Sequence, residues 1–448
     1  MGVPISHPNT NRKKKTVIVV GGGYGGVEVA KRLDKTNQFC VILIDRKSYF
    51  LHNIAALRAS VEKDYAKQIL IPYDKLLTNG CVIQAEVTKV TANRIEIYGR
   101  STSLLFDYLI IATGTTYSFP AKDAEINQYD VLPKYDEVRN KIEQAKRIVI
   151  VGGGSVGCEL AGEIATEFRN KQVTVVHANS TLCEQNLFNP KFYVAAREQL
   201  ESLGVRILFN ERLDTERISQ QFRLKDTKYL EGINTLRTDK QTKLTADLLF
   251  MCTGTKMNNK SLDAFRSHFS PDGRIDVNNY LQIENYPHIF VIGDISSKEE
   301  KMAFYAMKQG DYVASVIEAM HNNKAFNEYQ PAQNPAMFLT IGRNGGVGQL
   351  PTRGGMVVGK TLVKQLKSKS LFTARFWSLL NQKQSSTLIE QTPDDVERAH
   401  GYYKKIKTLL AMDLTEEQAK DLLGELPKTA AELNQNNMEN HPLCKSSL

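Results

Sequence analysis

A thirteen-residue pattern occurs twice in the chain. Thr16-Val17-Ile18-Val19-Val20-Gly21-Gly22-Gly23-Tyr24-Gly25-Gly26-Val27-Glu28 returns as Arg147-Ile148-Val149-Ile150-Val151-Gly152-Gly153-Gly154-Ser155-Val156-Gly157-Cys158-Glu159, 131 residues later counted from Gly21 to Gly152. Each copy sets a β-branched run before G-x-G-x-x-G and a helical pattern after it, the order in which a loop cradles a dinucleotide pyrophosphate. Gly21 and Gly152 permit the tight turn, Gly23 and Gly154 let backbone approach the phosphates, and Gly26 and Gly157 let the helix pack closely. The helix N-terminal amides are then aimed at the anion. One copy would be weak grounds. Two copies, each between a strand and a helix, predict two dinucleotide sites.

The partner carboxylate of the first copy is Asp45, which ends Val41-Ile42-Leu43-Ile44-Asp45 and lies 24 residues after Gly21. That is close to the ~20 expected of an acid that binds a ribose hydroxyl. The second copy ends its run Val173-Thr174-Val175-Val176 on His177 instead. No carboxylate is there to bind the 2′-hydroxyl or repel a 2′-phosphate. Weak discrimination between NADH and NADPH is therefore expected, with His177 beside the adenosine ribose or standing uninvolved at the strand end.

Loops of this kind need parallel sheets to hold them. Three further segments pair a strand with a glycine turn: Tyr108 to Thr113-Gly114, Leu248 to Thr253-Gly254, and Ile289 to Gly293-Asp294. The first two fall late in each nucleotide unit, where the chain should cross between domains. The third returns to the first domain and opens a helix carrying Lys301, Met302 and Ala303. The expected fold is α/β, with two Rossmann-like dinucleotide-binding domains, a small C-terminal α+β domain and a helical acidic tail. The expected boundaries are 1–15 for a basic arm, 16–120 with 257–328 for the first domain, and 121–256 for the second. A basic C-terminal domain over 329–389 and a tail over 390–448 complete the chain.

The 448 residues, 42% apolar and 24% charged, suit a folded soluble enzyme of two to four domains. No apolar run approaches the ~18 residues of a spanning helix. With 58 Lys and Arg against 49 Asp and Glu, the net charge of +9 favours an anionic partner. The six cysteines (Cys40, Cys81, Cys158, Cys183, Cys252 and Cys444) form no CxxC or CxxxxC pair. No metal site and no disulfide framework are expected, and the compartment reads as reducing.

Both ends of the chain point to a membrane surface. Met1-Gly2-Val3-Pro4-Ile5-Ser6 fits the N-myristoylation pattern at Gly2, and Arg12-Lys13-Lys14-Lys15 follows as a polybasic second signal. Between Tyr329 and Ile389 there is no acid but eight basic residues. Val358, Leu362, Val363 and Leu366 fall on one helical face beside Lys360, Lys364 and Lys367. Leu371, Phe372, Phe376, Trp377, Leu379 and Leu380 follow. A basic amphipathic element with aromatics reads as a membrane-interface surface; the alternative is an ordinary helix packed on the larger domains. From Glu390 onward eleven acids outnumber seven bases, with helix starts expected at Thr392 and Thr415.

The paired G-x-G-x-x-G units, the T-G turns and the late Gly293-Asp294 resemble the pyridine nucleotide-disulfide oxidoreductase superfamily over residues 15–330. Phe50-Leu51-His52-Asn53-Ile54-Ala55-Ala56-Leu57-Arg58 and Ile341-Gly342-Arg343-Asn344-Gly345-Gly346 are similar to its apoptosis-inducing-factor-related, ferroptosis-suppressor branch. The likeness runs to about residue 380; the acidic tail has no counterpart in it. The resemblance implies FAD on the first unit. Gly21, Gly22, Gly23, Tyr24, Gly25 and Gly26 would hold its pyrophosphate and Asp45 its adenosine ribose. Arg58, Val82, Thr113 and Gly114 would line the pocket. Asp294 would hold the ribityl chain, and the helix start at Met302 and Ala303 would face the flavin pyrimidine edge. It implies NADH or NADPH on the second unit, at Gly152, Gly154, Ser155, Val156, Gly157, His177 and Gly254, with Glu159 orienting the nicotinamide carboxamide.

One departure sets the implied chemistry. Disulfide reductases of this superfamily carry CxxxxC after the ribose acid, and here Arg46 to Val61 holds no cysteine. Electrons must pass from flavin directly to a small acceptor, and the resemblance suggests a lipid-soluble quinone of the ubiquinone or vitamin K type. His52 or Lys301 is the candidate proton source. The expected place is the cytoplasmic face of a lipid droplet, plasma or mitochondrial outer membrane with a cytosolic pool, as monomer or homodimer. The rival readings are a respiratory type II NADH dehydrogenase and a redox-sensing pro-death flavoprotein that binds DNA. No nucleic-acid motif supports the latter.

Overall fold

The structure, a computed structural model, describes residues 14–384 apart from 102, 185, 215, 217, 219–228, 333–334 and 351–354. Gly2, the first basic residues of the N-terminal arm and the whole acidic tail lie outside the described residues.

The run Lys15–Val20 is almost wholly buried because its sheet is covered on both faces, by helices on one and by the strands Val87–Val90, Arg94–Ile97 and Leu104–Leu105 with the 3-10 run Lys260–His268 on the other. It pairs in parallel with Phe39–Asp45 on one side and Tyr108–Ile111 on the other. The six-stranded sheet runs from Gln282–Ile283 and Tyr286–Val291 through Tyr108–Ile111, Lys15–Val20 and Phe39–Asp45 to Cys81–Gln84. Alternate residues face opposite cores. Val17, Val19, Val41 and Leu43 pack with Val27, Leu33, Val313 and Ile317. Ile18, Val20, Ile42 and Ile44 pack with Leu262, Phe265 and Ile275. Each fully buried side chain of this kind contributes ~1.5–3 kcal/mol.

The second sheet repeats the plan with the order Arg206–Phe209, Gln172–His177, Arg147–Val151, Lys243–Met251, Tyr229–Arg237. Two crossings join the units, at Thr115–Thr116 and Lys256–Met257, and they pair with each other as an antiparallel ribbon. A third sheet of Met337–Ile341, Gly345–Gln349 and Val357–Val358 follows.

The C-terminal aromatic stretch departs from its expected role. Phe376, Trp377, Leu371 and Leu380 are buried, not presented to a membrane. Phe376 stacks on Phe50 and packs at a tilt against His52, and the Trp377 indole N–H donates to the Gln68 carbonyl at 2.9 Å. The short helix Thr373–Leu379 thus closes the first domain's core. The Lys367 face is also spent, because its ammonium pairs with Glu159. What stays open is smaller: Met356, Leu362 and Leu366, 59%, 40% and 44% exposed, on the segment that carries Lys360 and Lys364.

Candidate functional site

The two glycine loops are built alike, down to tenths of an ångström. Gly21 and Gly152 hold φ of +107° and +108°. A Cβ on either would sit 2.3 or 2.4 Å from the carbonyl oxygen of Ala112 or Cys252. A Cβ on Gly26 or Gly157 would lie 1.9 Å from the carbonyl of Gly21 or Gly152, so each helix can begin here only without a side chain at that position. Around Gly23 and Gly154 the reverse holds, with nothing within 4 Å of an added Cβ. Neither helix, Tyr24–Thr36 or Ser155–Glu167, has a side-chain cap. Their first-turn amides are therefore left for an anion placed in that open space.

The middle glycine of each loop is anchored by a different side chain. The Gly22 N–H donates to Asp45 Oδ2 at 2.6 Å, and the Lys47 N–H donates to Oδ1 at 2.8 Å. Burial pushes this carboxyl above its ordinary value. In the second unit the Gly153 N–H donates to His177 Nδ1 at 3.1 Å, and His177 Nε2–H donates to the Thr181 carbonyl at 2.8 Å. His177 therefore substitutes for the loop-anchoring half of Asp45 as a neutral imidazole, with burial holding its pKa down. Both its nitrogens are used, so it offers a ribose no free acceptor.

Beside the second loop opens a cleft of about 460 Å³. Asn53, Thr115, Asp294, Lys301 and Met302 line it from one side, and Gly154, Ser155, Val156, Cys183, Cys252 and Gly254 from the other. Asp294 accepts from the Thr115 hydroxyl at 2.8 Å and pairs with Lys122 Nζ at 3.4 Å. Helix Ala303–His321 starts at Met302 without a side-chain cap, so it too presents bare amides. Gly114 and Gly254, at φ +62° and +72°, turn the chain out of their strands toward the crossings. Val82 lies on the edge strand beside Leu43, near the Asp45 end of the sheet.

Several buried polar atoms have no partner among the described residues, Thr113 Oγ1 and Asn53 Oδ1 in the first unit and Thr181 Oγ1 in the second. Thr113 adjoins Gly21, Asn53 lines the cleft, and Thr181 adjoins His177. Orphaned groups at such places, with two bare helix ends and empty space over Gly23 and Gly154, fit an FAD in the first unit and a nicotinamide dinucleotide in the second.

Three expected site residues are turned elsewhere. Arg58 does not face the pocket; its guanidinium pairs with Glu163 at 2.7 Å and donates to the Ser368 and Lys369 carbonyls, with both side chains almost fully buried. Glu159 Oε1 accepts from the Thr340 N–H at 3.1 Å, the Thr340 hydroxyl at 3.0 Å and Lys367 Nζ at 2.9 Å. It faces the third sheet, not the cleft. His52 is fully buried: its Nε2–H donates to the Leu371 carbonyl at 2.7 Å and its Nδ1 accepts from the Tyr24 hydroxyl at 3.1 Å. The Tyr24 oxygen in turn accepts the Ile54 N–H. A ring locked this way supplies no proton to the cleft. Of the residues that sequence reasoning missed, Thr115 and Lys122 stand just after the T-G turn. Tyr73, whose hydroxyl donates to the Gly22 carbonyl at 2.6 Å, gave no local sign.

Burial lowers the His52 pKa to about 4. An unfolded chain takes up this proton near pH 6.5 while the folded chain refuses it until about 4. The stability His52 confers is thus complete above pH 6.5 and lost as pH falls through that window, by about 3 kcal/mol. Thermal melts from pH 7 to 4.5 should show a fall that is markedly flatter in His52→Gln; parallel curves would contradict the assignment.

Residues 15–310 match the family described as pyridine nucleotide-disulphide oxidoreductase. The chain is 35% identical to ferroptosis suppressor protein 1 of Mus musculus over 374 residues, 82% of this chain and 96% of that one. It is 34% identical to apoptosis-inducing factor homolog A of Dictyostelium discoideum over 385 residues, 82% and 92% of the two chains. The sulfide:quinone oxidoreductase of Aquifex aeolicus shares the fold at a TM-score of 0.66 and 16% identity, over 82% of this chain and 92% of that one. So does NDH2 of Plasmodium falciparum, solved with NADH, at 0.60 and 15% over 83% and 98%. The chain belongs to the pyridine nucleotide-disulphide oxidoreductase family, in the branch of the ferroptosis suppressor proteins and apoptosis-inducing factor homologs, and is an FAD-dependent NAD(P)H oxidoreductase.

Proposed function

We propose that this enzyme reduces a lipid-soluble quinone of the ubiquinone or vitamin K type with NADH or NADPH at a membrane surface. The observation that carries the reading is the acceptor side of the site. Arg46 to Val61 holds no cysteine, and Cys40 and Cys81 are buried in the first sheet's core. The cleft walls bring Leu57, Tyr117, Val156, Phe188, Met302 and Met337 together, an apolar lining suited to a flat quinone head. FAD, when bound, would supply the acceptance of a hydride from nicotinamide and its release as two electrons and one proton, leaving the quinol's second proton to the protein.

The chain's own groups do the positioning. Gly21 to Gly26 hold one pyrophosphate and Gly152 to Gly157 the other. Asp294, steadied by Thr115 and Lys122, takes ribityl hydroxyls. The uncapped amides at the start of the Ala303 helix would favour negative charge on a reduced flavin held in the cleft. Lys301, on the cleft wall, holds the proton that the quinol needs; His52 drops out of that role. The absence of a second-unit carboxylate supports use of NADPH alongside NADH.

Membrane attachment falls to a Gly2 myristate with the Arg12–Lys15 cluster, one lipid chain alone being marginal. The exposed Met356, Leu362 and Leu366 beside Lys360 and Lys364 would supply a further contact. No helix among the described residues is long and apolar enough to cross a membrane. The purified protein should be yellow and oxidise NADH or NADPH with a soluble quinone analogue but not with a disulfide. Activity confined to a disulfide substrate overturns the proposal. Gly2→Ala should move the protein from membranes to the soluble fraction.

A further inference from the structure

Three of the buried thiols gather at the second glycine loop. Cys158 stands in the first turns of helix Ser155–Glu167, where the first unit has Val27. Cys183 and Cys252 line the cleft. One carbonyl ties the first two together: Gly153 O accepts from Cys158 Sγ at 3.3 Å and from the Cys183 N–H at 2.8 Å. Both are free, and Cys183 holds φ of +61°, a strained choice for a side chain of this kind. The dithiol is thus fastened to the middle residue of the loop that receives a pyrophosphate.

We propose that Cys158 and Cys183 are a hydroperoxide-oxidisable pair that controls NAD(P)H binding at this loop. The proposal rests on the reading of Gly152 to Gly157 as the NAD(P)H site. Cys183, on the cleft wall, is the sulfur that an entering hydroperoxide meets. Its thiolate attacks the terminal peroxide oxygen, the O–O bond breaks, and the alcohol leaves with a proton, giving a sulfenic acid. The Cys158 thiol then attacks that sulfur, the S–S bond forms, the S–O bond breaks and water departs. Two thiols and one hydroperoxide become a disulfide, an alcohol and water. The neighbouring Cys183 side chain and burial push the Cys158 thiol up, so Cys183, on the cleft wall, is the sulfur that reacts first.

The disulfide removes the Cys158 S–H that Gly153 O now accepts, and it draws the cleft wall at Cys183 onto the helix. The pyrophosphate loop is loosened where it must be most exact in shape. The first loop carries Val27 where the second carries Cys158, so FAD retention is not expected to respond.

The test uses the purified holoenzyme, hydrogen peroxide as probe, and dithiothreitol as the reversing agent. Trypsin places Cys158 and Cys183 on separate peptides, 148–169 and 172–191. Oxidised protein should give these two peptides joined, and dithiothreitol should part them. The KM for NADPH should rise roughly fivefold on oxidation, about the factor carried by one neutral hydrogen bond, and fall back on reduction. Cys252→Ser should still give the joined peptides, whereas Cys158→Ser should not. Free thiols after peroxide, or Cys183 joined to Cys252, overturn the proposal. A joined pair with unchanged KM overturns the control of NAD(P)H. If Gly157→Ala also binds NADPH normally, the fault lies with the site reading and not with the thiol chemistry.

Discussion

Gly26→Ala will come off the column with little or no yellow colour, whereas Gly157→Ala will keep its flavin and lose its response to NADPH. The added methyl carbon would sit 1.9 Å from a loop carbonyl in either case, closer than any real contact. The obstacle is backbone, not a side chain that can swing away, so the helix start must move. That start carries the uncapped amides which would bind the phosphates. Losing one or two charge-assisted hydrogen bonds of ~1.5–3 kcal/mol each weakens binding by roughly tenfold at the least and about 10⁴-fold at the most. Because the loops lie in different sheets, each variant should report one nucleotide only. An absorbance spectrum gives flavin occupancy, and anaerobic mixing with NADPH gives the rate of bleaching. Native occupancy in Gly26→Ala, or normal bleaching in Gly157→Ala, would remove the basis for assigning the loops.

The reason those two loops could be read from sequence is that their constraints are local. The tight turn at Gly21 and the close approach at Gly26 are met within six residues, so the pattern states its own geometry. Asp45 was legible for the same reason, as the end of a strand that must lie beside the loop. His177 was legible in place but not in use. Nothing in a strand-end histidine says that both its nitrogens will be consumed by Gly153 and Thr181.

Partners drawn from far along the chain left no such trace. Tyr73 reaches Gly22 across 51 residues, and Glu159 meets Lys367 across 208. The aromatic stretch after Leu371 misled for a related reason. An apolar, basic segment looks the same whether its hydrophobes meet lipid or a groove made by Phe50 and His52, and only the fold supplies that groove. Sequence periodicity reports that a face is apolar, not what covers it.

Arg58 illustrates the point most sharply, and its removal should be among the most damaging single changes. Its side chain joins three parts of the molecule: the short helix Ala56–Ala59 on which it sits, Glu163 on the second glycine helix, and the Ser368 and Lys369 carbonyls. Arg58→Met strands a buried carboxylate and leaves two carbonyls short of a donor. A loss of about 3–5 kcal/mol is expected, the range for breaking one partner of a buried pair. Arg58→Met with Glu163→Leu should recover a good part of it, since the charge whose burial had become uncompensated is gone. Urea unfolding of the four members of this cycle measures both effects. If Arg58→Met falls within about 1 kcal/mol of the parent, the pair is not what fastens the domains. The same cycle separates fastening from cofactor contact. A residue that touched FAD would lower flavin affinity in both Arg58 variants alike, whereas a fastener should restore flavin retention along with stability when Glu163 is also replaced.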